Sequence, residues 1–450
     1  MRTQVLVLAA ALPLLGFAAD RPNVVVIFTD DQTFRGVGYQ HPEVKTPHLD
    51  ELAQSGIIFE RAYVASPICA ASRAAMMTGL FPQKNGVMAL NSKAFAAYQE
   101  GGSKASRTLA ARLSSAGYDT ALYGKSHLGE PQKYGFQTGS ELKDDDQTFE
   151  NAAEFLRARG SSSKPFFLWL APHKPHVPLF PEQEWLDLYP QGSIHLPKNF
   201  LTEPTSDSLN NQGTPGQAYY RDSNYRRNID QLPAGPPRDE ATMLAFVRAY
   251  YAVISRLDQQ VGELAGLLRE TGLMENTIVF YLSDNGYHLG SHGLGNKITM
   301  HEESVRVPMF AFGAGIEAGK ISQALVSTLD LYPTLMELAG VSKLEEPPAG
   351  QSLLPLFKNP ELEFRNTVFS ECVGVGGTAG QGHRMARGDR WKLILSDTDE
   401  EFLFDQRDDP FELTNRISDP ELKTIVEALR RDLAQWMKEN GDRPYPGAPQ

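Results

Sequence analysis

The chain reads as an α/β protein: a large mixed, mainly parallel sheet flanked by helices, followed by a smaller α+β unit. Three observations predict this. Four short runs dominated by apolar and β-branched residues, Asn23 to Phe28, Asp119 to Tyr123, Phe166 to Leu170 and Thr277 to Leu282, have the character of strands buried in a parallel sheet. Helical stretches fall between them, at Thr46 to Ala53, Arg107 to Ala116 and Ala241 to Glu270. Each of the four runs ends in polar, metal-capable or cationic residues, as expected when ligands bind at the carboxyl ends of an α/β sheet.

Length and composition fit this plan. The 450 residues include 43 basic against 55 acidic side chains, a net charge of −12, and are 41% hydrophobic, which is ample for a sizeable core and a second, smaller one. An acidic exterior repels polyanions, so nucleic acid is disfavoured as a partner, and an anionic substrate has to be drawn in by a locally basic pocket. Arg2, the apolar run Val5 to Phe17 and the small residues Gly16 and Ala18 read as a secretory signal over residues 1–19. The run is shorter than the roughly 20 residues a membrane span needs, so an exported chain without a membrane anchor is expected, periplasmic or extracellular. Only two cysteines are present, Cys69 and Cys372, and a chain this long needs no disulfide between them.

Taken in order, the first strand stops at Asp30-Asp31. Two adjacent carboxylates beside a core are costly unless paired or metal-bound; a cap or a turn is the plainer alternative. Thr46-Pro47 then opens a helix with proline at its first position, closed by Gly56. In Ser66-Pro67-Ile68-Cys69, Pro67 ends the preceding strand and Ala70 to Met77 form a helix stopped by Gly79. Cys69 therefore sits at a helix N-terminus, where free N–H groups and the positive dipole end favour an anion, with Arg73 one turn on. A lone cysteine is otherwise a small buried hydrophobe.

Asp119 to Tyr123 delivers Gly124-Lys125-Ser126-His127, and Phe166 to Leu170 runs into Ala171-Pro172-His173-Lys174-Pro175-His176-Val177-Pro178, a loop stiffened by its prolines. Thr277 to Leu282 ends at Ser283-Asp284-Asn285-Gly286, followed by His288, His292 and Lys297. The oxygen donors Asp30, Asp31, Asp284 and Asn285 form a candidate set for a hard cation, Ca²⁺ or Mg²⁺, rather than zinc. His41, His48 and His195 read as structural, while His176, His288, His292 and His301 stay open between substrate contact and loop bracing.

Gln191 to Arg238, rich in Asn, Gln, Pro, Gly and Ser, reads as a long excursion that walls a substrate pocket. After Val307 to Phe312 and a helix over Asp330 to Ala339, the Pro- and Glu-rich Lys343 to Pro355 marks a boundary between a catalytic unit, 20–345, and a C-terminal one, 346–450. The latter holds strands at Thr367 to Cys372, Arg390 to Leu395 and Phe402 to Phe404, and a helix over Glu421 to Glu439.

The pattern Cys69-x-Ala71-Ser72-Arg73-x-x-x-Met77-Thr78-Gly79 resembles the signature of the type I, formylglycine-dependent sulfatases of the alkaline phosphatase superfamily, and the likeness spans almost the whole mature chain. The resemblance implies that fold, and hydrolysis of sulfuric esters of the arylsulfatase or glycan sulfatase type. It implies oxidation of Cys69 to formylglycine, whose hydrate supplies the nucleophile, and a Ca²⁺ ion, preferred to Mg²⁺, on Asp30, Asp31, Asp284, Asn285 and the oxidised Cys69 side chain. Arg73, Lys125, His127, His173 and Lys297 match the positions that hold formylglycine and grip the sulfate group. In this scheme His127 is the base for breakdown of the sulfated hydrate, and His173 with Lys297 supplies or stabilises the leaving proton.

The commonest form of the signature has proline where this chain has Ala71, which points to the anaerobic radical system as the maturase partner. The His173-Lys174-Pro175-His176 loop is similar to that of iduronate-2-sulfatases and Gln83-Lys84-Asn85-Gly86 to that of sulfamidases. O- and N-sulfate therefore both stay open, on sulfated polysaccharide or glycosaminoglycan fragments. The alternatives are a phosphate or phosphonate ester hydrolase on the same fold, and a secreted glycan-binding protein whose Cys69 is never converted.

Overall fold

The computed structural model describes residues 21–90, 92–160, 162–202, 239–294, 296–372, 382–396 and 401–442. The expected signal segment and most of the 191–238 excursion lie outside them.

The large sheet is laid out by the runs read from the sequence. Asn23–Thr29 (β1), Asp119–Gly124 (β3), Phe166–Ala171 (β5) and Thr277–Ser283 (β6) are its four central parallel strands, in the order β3-β5-β1-β6. Thr138–Ser140 (β4) adds to β3 at one edge. On the other side come Met309–Gly313 (β8), Gly56–Tyr63 (β2) and the short Arg306–Val307 (β7), all antiparallel to their neighbours, with Lys320–Ser327 (β9) parallel to β2. The sheet is thus mixed but mainly parallel at its centre.

Residues of β1 alternate between two cores because successive side chains of a strand point to opposite faces. Val24, Val26 and Phe28 pack with the helices Cys69–Thr78 (α2), Leu109–Ser115 (α3) and Leu331–Leu338 (α6). Val25 and Ile27 pack with Pro47–Gln54 (α1), Asp145–Arg157 (α4) and the long Glu240–Glu270 (α5). With helices on both faces, neither face of the central strands meets water, which is why those strands carry no alternating polar residues.

Two glycines are dictated by geometry. A Cβ on Gly56 would sit 2.0 Å from the Ala311 carbonyl oxygen, so only glycine lets β2 and β8 pair at this point. Gly79 ends α2 in the left-handed conformation, φ 70°, with the Tyr332 ring against it.

Asp258 on α5 ties that helix to α1. Its carboxylate accepts the backbone N–H groups of His48 and Leu49 at 3.2 and 2.6 Å, replacing the side-chain cap that Thr46 does not provide. Burial pushes this carboxyl up to about 6, against the pull of the two amide donors. A raised acid contributes stability that is complete below its unfolded pKa, near 4, and is lost as pH rises through about 6. Asp258→Asn is therefore expected to gain stability relative to the parent by about 2 to 3 kcal/mol between pH 4 and 7. Denaturant unfolding of both proteins at the two pH values checks this; a difference that stays constant or shrinks contradicts it.

The C-terminal unit is an antiparallel sheet of Val368–Cys372 (β10), His383–Arg387 (β11), Trp391–Ser396 (β12) and Phe402–Asp405 (β13), in that order, covered by Lys423–Asn440 (α7). Leu393, Leu395 and Leu403 meet Leu429, Leu433 and Trp436 in a core that also takes in Ala65, Ala75 and Phe81 of the large unit. Trp436 packs edge-on to Phe81, ring centroids 4.9 Å apart. Cys69 and Cys372 are both buried.

Candidate active site

All the candidate residues converge at the carboxyl ends of the four central parallel strands. Asp30 and Asp31 leave β1, Lys125 and His127 leave β3, His173 and His176 leave β5, and Asp284 and Asn285 leave β6; Cys69 enters from the first turn of α2 and Lys297 from the loop beyond β6. Parallel strands put like ends together, so residues far apart in sequence meet here. A cavity of about 320 Å³ opens over them, lined by Asp31, Cys69, Lys125, His127, His173, His176 and Lys297.

Arg73, one turn into α2, has its side chain only 2% exposed. Its Nε donates to Asp284 Oδ2 at 2.8 Å and its Nη1 to the Lys125 carbonyl at 2.8 Å, with the guanidinium over the Phe28 ring, 4.9 Å from its centroid. These contacts engage both sides of the guanidinium. It thus holds the strand ends together.

Lys125 Nζ contacts Asp30 Oδ2, and Lys297 Nζ contacts Asp31 Oδ1 and stands 4.0 Å from Cys69 Sγ. Asn285 Nδ2 donates to Asp31 Oδ1 at 2.7 Å, and Asp31, at φ 65°, donates its own N–H to Asp284 Oδ1 at 3.2 Å. Three buried cations thus face three buried carboxylates. Burial acts to raise the Asp30 carboxyl, but Lys125, His176, Lys297 and Arg73 outweigh it and hold it well below the ordinary range. Burial lowers Lys297 too, yet Asp31 ahead of its other neighbours keeps it above an ordinary lysine. At Cys69 burial prevails over Lys297 and Lys125 and pushes the thiol up, so the unmodified side chain is no ready thiolate.

The oxygen donors fit a hard cation. Among the described residues, Asp30 Oδ1 and Asn285 Oδ1 have no hydrogen-bond partner although both are buried, an expensive state that an ion would relieve. Asp30, Cys69 and Asp284 offer ligand atoms within 4.8 Å of one another, as do Asp30, His173 and His176.

The imidazoles are neutral. Burial, reinforced by Lys125 and Arg73, takes His127 down to about 2, and burial takes His173 down to about 4 although Asp30 opposes it. His176, open in the sequence, belongs to the site: its Nε2 is 3.8 Å from Asp31 Oδ2 and its ring packs edge-on to His173, centroids 4.9 Å apart. His288, His292 and His301 gather elsewhere.

Sequence reasoning missed Asp145. Half-buried at the start of α4, it accepts the backbone N–H groups of His173 and Lys174 at 2.6 and 3.0 Å, which fixes the loop that presents both histidines. In the sequence it is the middle of Asp144-Asp145-Asp146, which looks like any acidic helix start, and nothing in that run points at His173.

This constellation can bind an oxyanion between lysines and a cation, beside a nucleophile at a helix N-terminus. Residues 22–341 match the sulfatase family, and residues 290–439 match the N-sulphoglucosamine sulphohydrolase C-terminal family. The chain is 26% identical to an N-acetylglucosamine-6-O-sulfatase of Bacteroides thetaiotaomicron, over 94% of this chain and 87% of that one. It is 31% identical to an N-acetylgalactosamine-6-sulfatase of Sus scrofa, over 81% of this chain and 73% of that one. Its fold is similar to a solved structure in complex with its substrate D-glucosamine-2-N,6-O-disulfate, with TM-score 0.79, 24% identity and coverage of 94% of this chain and 99% of that one. With its family match over most of the chain, and a mixed, mainly parallel sheet whose strand ends gather Cys69 with buried lysines and carboxylates, the chain belongs to the sulfatase family of sulfuric ester hydrolases.

Proposed function

We propose that the chain is an exported hydrolase of sulfate esters on sulfated polysaccharide or glycosaminoglycan fragments. In this reading it acts through a formylglycine made from Cys69, matured by the anaerobic system that Ala71 suggests. The observation that carries the reading is the position of Cys69: first residue of α2, lining the cavity, with Lys297 4.0 Å from its sulfur and carboxylate oxygens of Asp30 and Asp284 within 4.8 Å. The relatives that act on 6-sulfated amino sugars support a sugar substrate.

When present, a hydrated formylglycine supplies the attacking hydroxyl, and a calcium ion held by Asp30, Asp31, Asp284 and Asn285 supplies charge that screens the sulfate oxygens. The protein's own groups do the rest. Lys125 and Lys297 both line the cavity and neutralise the non-bridging oxygens, so the ester is held in one orientation. Lys297, held positive by Asp31, is the proton-bearing group nearest residue 69 and is assigned to the leaving oxygen. His173 stands neutral and assists as a hydrogen-bond donor. Burial first, then Lys125 and Arg73, keep His127 neutral and so able to accept a proton, and an anion in the site strengthens it as a base by offsetting those two charges. Arg73 holds Asp284 in place and opposes the burial that pushes its carboxyl up to about 7.

The test is a panel of N-acetylglucosamine-6-sulfate, N-sulfoglucosamine and a phenylphosphonate monoester, read as released sulfate or phenol. Sulfate release from at least one sugar, faster than phosphonate turnover, is expected. Turnover of the phosphonate alone, or of nothing by fully matured protein, overturns the reading.

A further inference from the structure

A second cluster of ligand-type side chains lies outside this site. His292 and His301 pack with ring centroids 4.2 Å apart, and His288 lies 6.2 and 5.8 Å from them; all three are buried. Glu412, in a left-handed turn after β13 at φ 55°, reaches them from the C-terminal unit. One ring nitrogen of His292, one of His301 and one carboxylate oxygen of Glu412 lie within 4.8 Å of one another. Donors around one tetrahedral ion stand about 3.3 to 3.6 Å apart, so shifts of about 1 Å close the set.

Each of these side chains has further polar contacts. His292 Nε2 meets Asn199 Nδ2 at 3.1 Å and Glu303 Oε2 at 3.5 Å, and Thr299 Oγ1 lies 3.2 Å from His301 Nδ1. Glu412 Oε2 accepts the Glu302 N–H at 2.9 Å. A carboxylate that accepts the second N–H of an imidazole, as Glu303 is placed to do for His292, is what metal sites use to fix ring orientation and tautomer. Among the described residues, three polar atoms of this network are buried without a hydrogen-bond partner, Asn199 Oδ1, His288 Nδ1 and Glu303 Oε2, so the network is incomplete as it stands. Three imidazoles packed this closely, with Lys392 bonded to Glu412 at 2.7 Å, cannot all be charged, and neutral imidazole is the form that ligates a metal.

We propose that His292, His301 and Glu412 bind one borderline divalent transition ion, of which zinc is the type, tying the loop after β6 to the C-terminal sheet. Two imidazoles and one carboxylate select such an ion over calcium, so the site is chemically distinct from the oxygen-donor set at Asp30 and Asp31. Lys392 competes for the Glu412 carboxylate, which makes the site weaker than the tightest structural zinc sites.

Equilibrium dialysis of the full-length, chelator-stripped protein against Zn²⁺, with metal counted by plasma emission spectrometry, tests this without any turnover. Its outcome is therefore separable from the reaction proposed above. His301→Phe keeps a ring against Phe402 and Phe404, and Glu412→Gln is the second variant in case the first misfolds. Each is expected to bind one equivalent less zinc than the parent, and Co²⁺ loading is expected to give a tetrahedral visible absorption in the parent that both variants lack. Equal zinc content in the parent and a folded variant, or no zinc uptake by the parent, overturns the proposal.

Discussion

Cys69→Ala is expected to abolish turnover, a loss of about a thousandfold or more, while the protein folds as before. The two halves of this expectation have separate physical causes. Activity goes because residue 69 provides the only side chain at the first position of α2 from which a formylglycine can be made, and Lys125, Lys297 and the carboxylates bind without attacking. The fold stays because the substitution removes one buried sulfur atom from a helix that already carries alanine at positions 70, 71, 74 and 75. Filling that gap incompletely costs on the order of 1 kcal/mol, and alanine is the better helix former. Sulfate release and thermal unfolding, measured on the same preparations, separate the two effects. Activity within tenfold of the parent would sink the mechanism.

Asp284→Ala is expected to act on both metal and stability. The carboxylate is wholly buried and accepts from Arg73 Nε at 2.8 Å and the Asp31 N–H at 3.2 Å. Removing it takes one oxygen from the cation set and leaves the Arg73 guanidinium with only Asp30, 3.9 Å away, as a counter-charge. An uncompensated buried charge of this kind costs about 3 to 5 kcal/mol, so the denaturant midpoint drops along with activity. The parent is expected to lose activity to a calcium chelator and regain it on adding Ca²⁺, whereas excess Ca²⁺ leaves the variant inactive. Indifference of the parent to the chelator, or rescue of the variant by Ca²⁺, contradicts the metal assignment.

The parts of the fold that could be read from the sequence share one property: their signal is local. β1, β3, β5 and β6 are buried on both faces, so their runs are apolar almost without interruption, and each stops abruptly at polar residues. Because all four are parallel neighbours, their ends coincide, which is why ten residues spread from Asp30 to Lys297 can be grouped from strand ends and motif alone. β2 is hidden in the sequence because Gly56 reads first as a helix stop, and its partner β8 lies more than 250 residues on. β11 is hidden because His383, Arg384 and Arg387 look like surface residues. In the structure they are buried, with Arg387 bonded to Tyr63 and Arg384 to Asp442. Arg73 and Asp145 show the same limit at the site. The direction of the Arg73 guanidinium is set by Asp284, which is 211 residues away. Asp145 acts on His173 through backbone amides, and no side-chain pattern encodes that.

The most direct measurement is the mass of the peptide spanning Cys69, taken from protein expressed in a host with a competent maturase. Conversion of the thiol to an aldehyde lowers that mass by about 18 Da, a change that follows from the cysteine chemistry alone. The account predicts the lighter peptide in active preparations, in proportion to their activity. An unmodified thiol in protein that releases sulfate at full rate would contradict it.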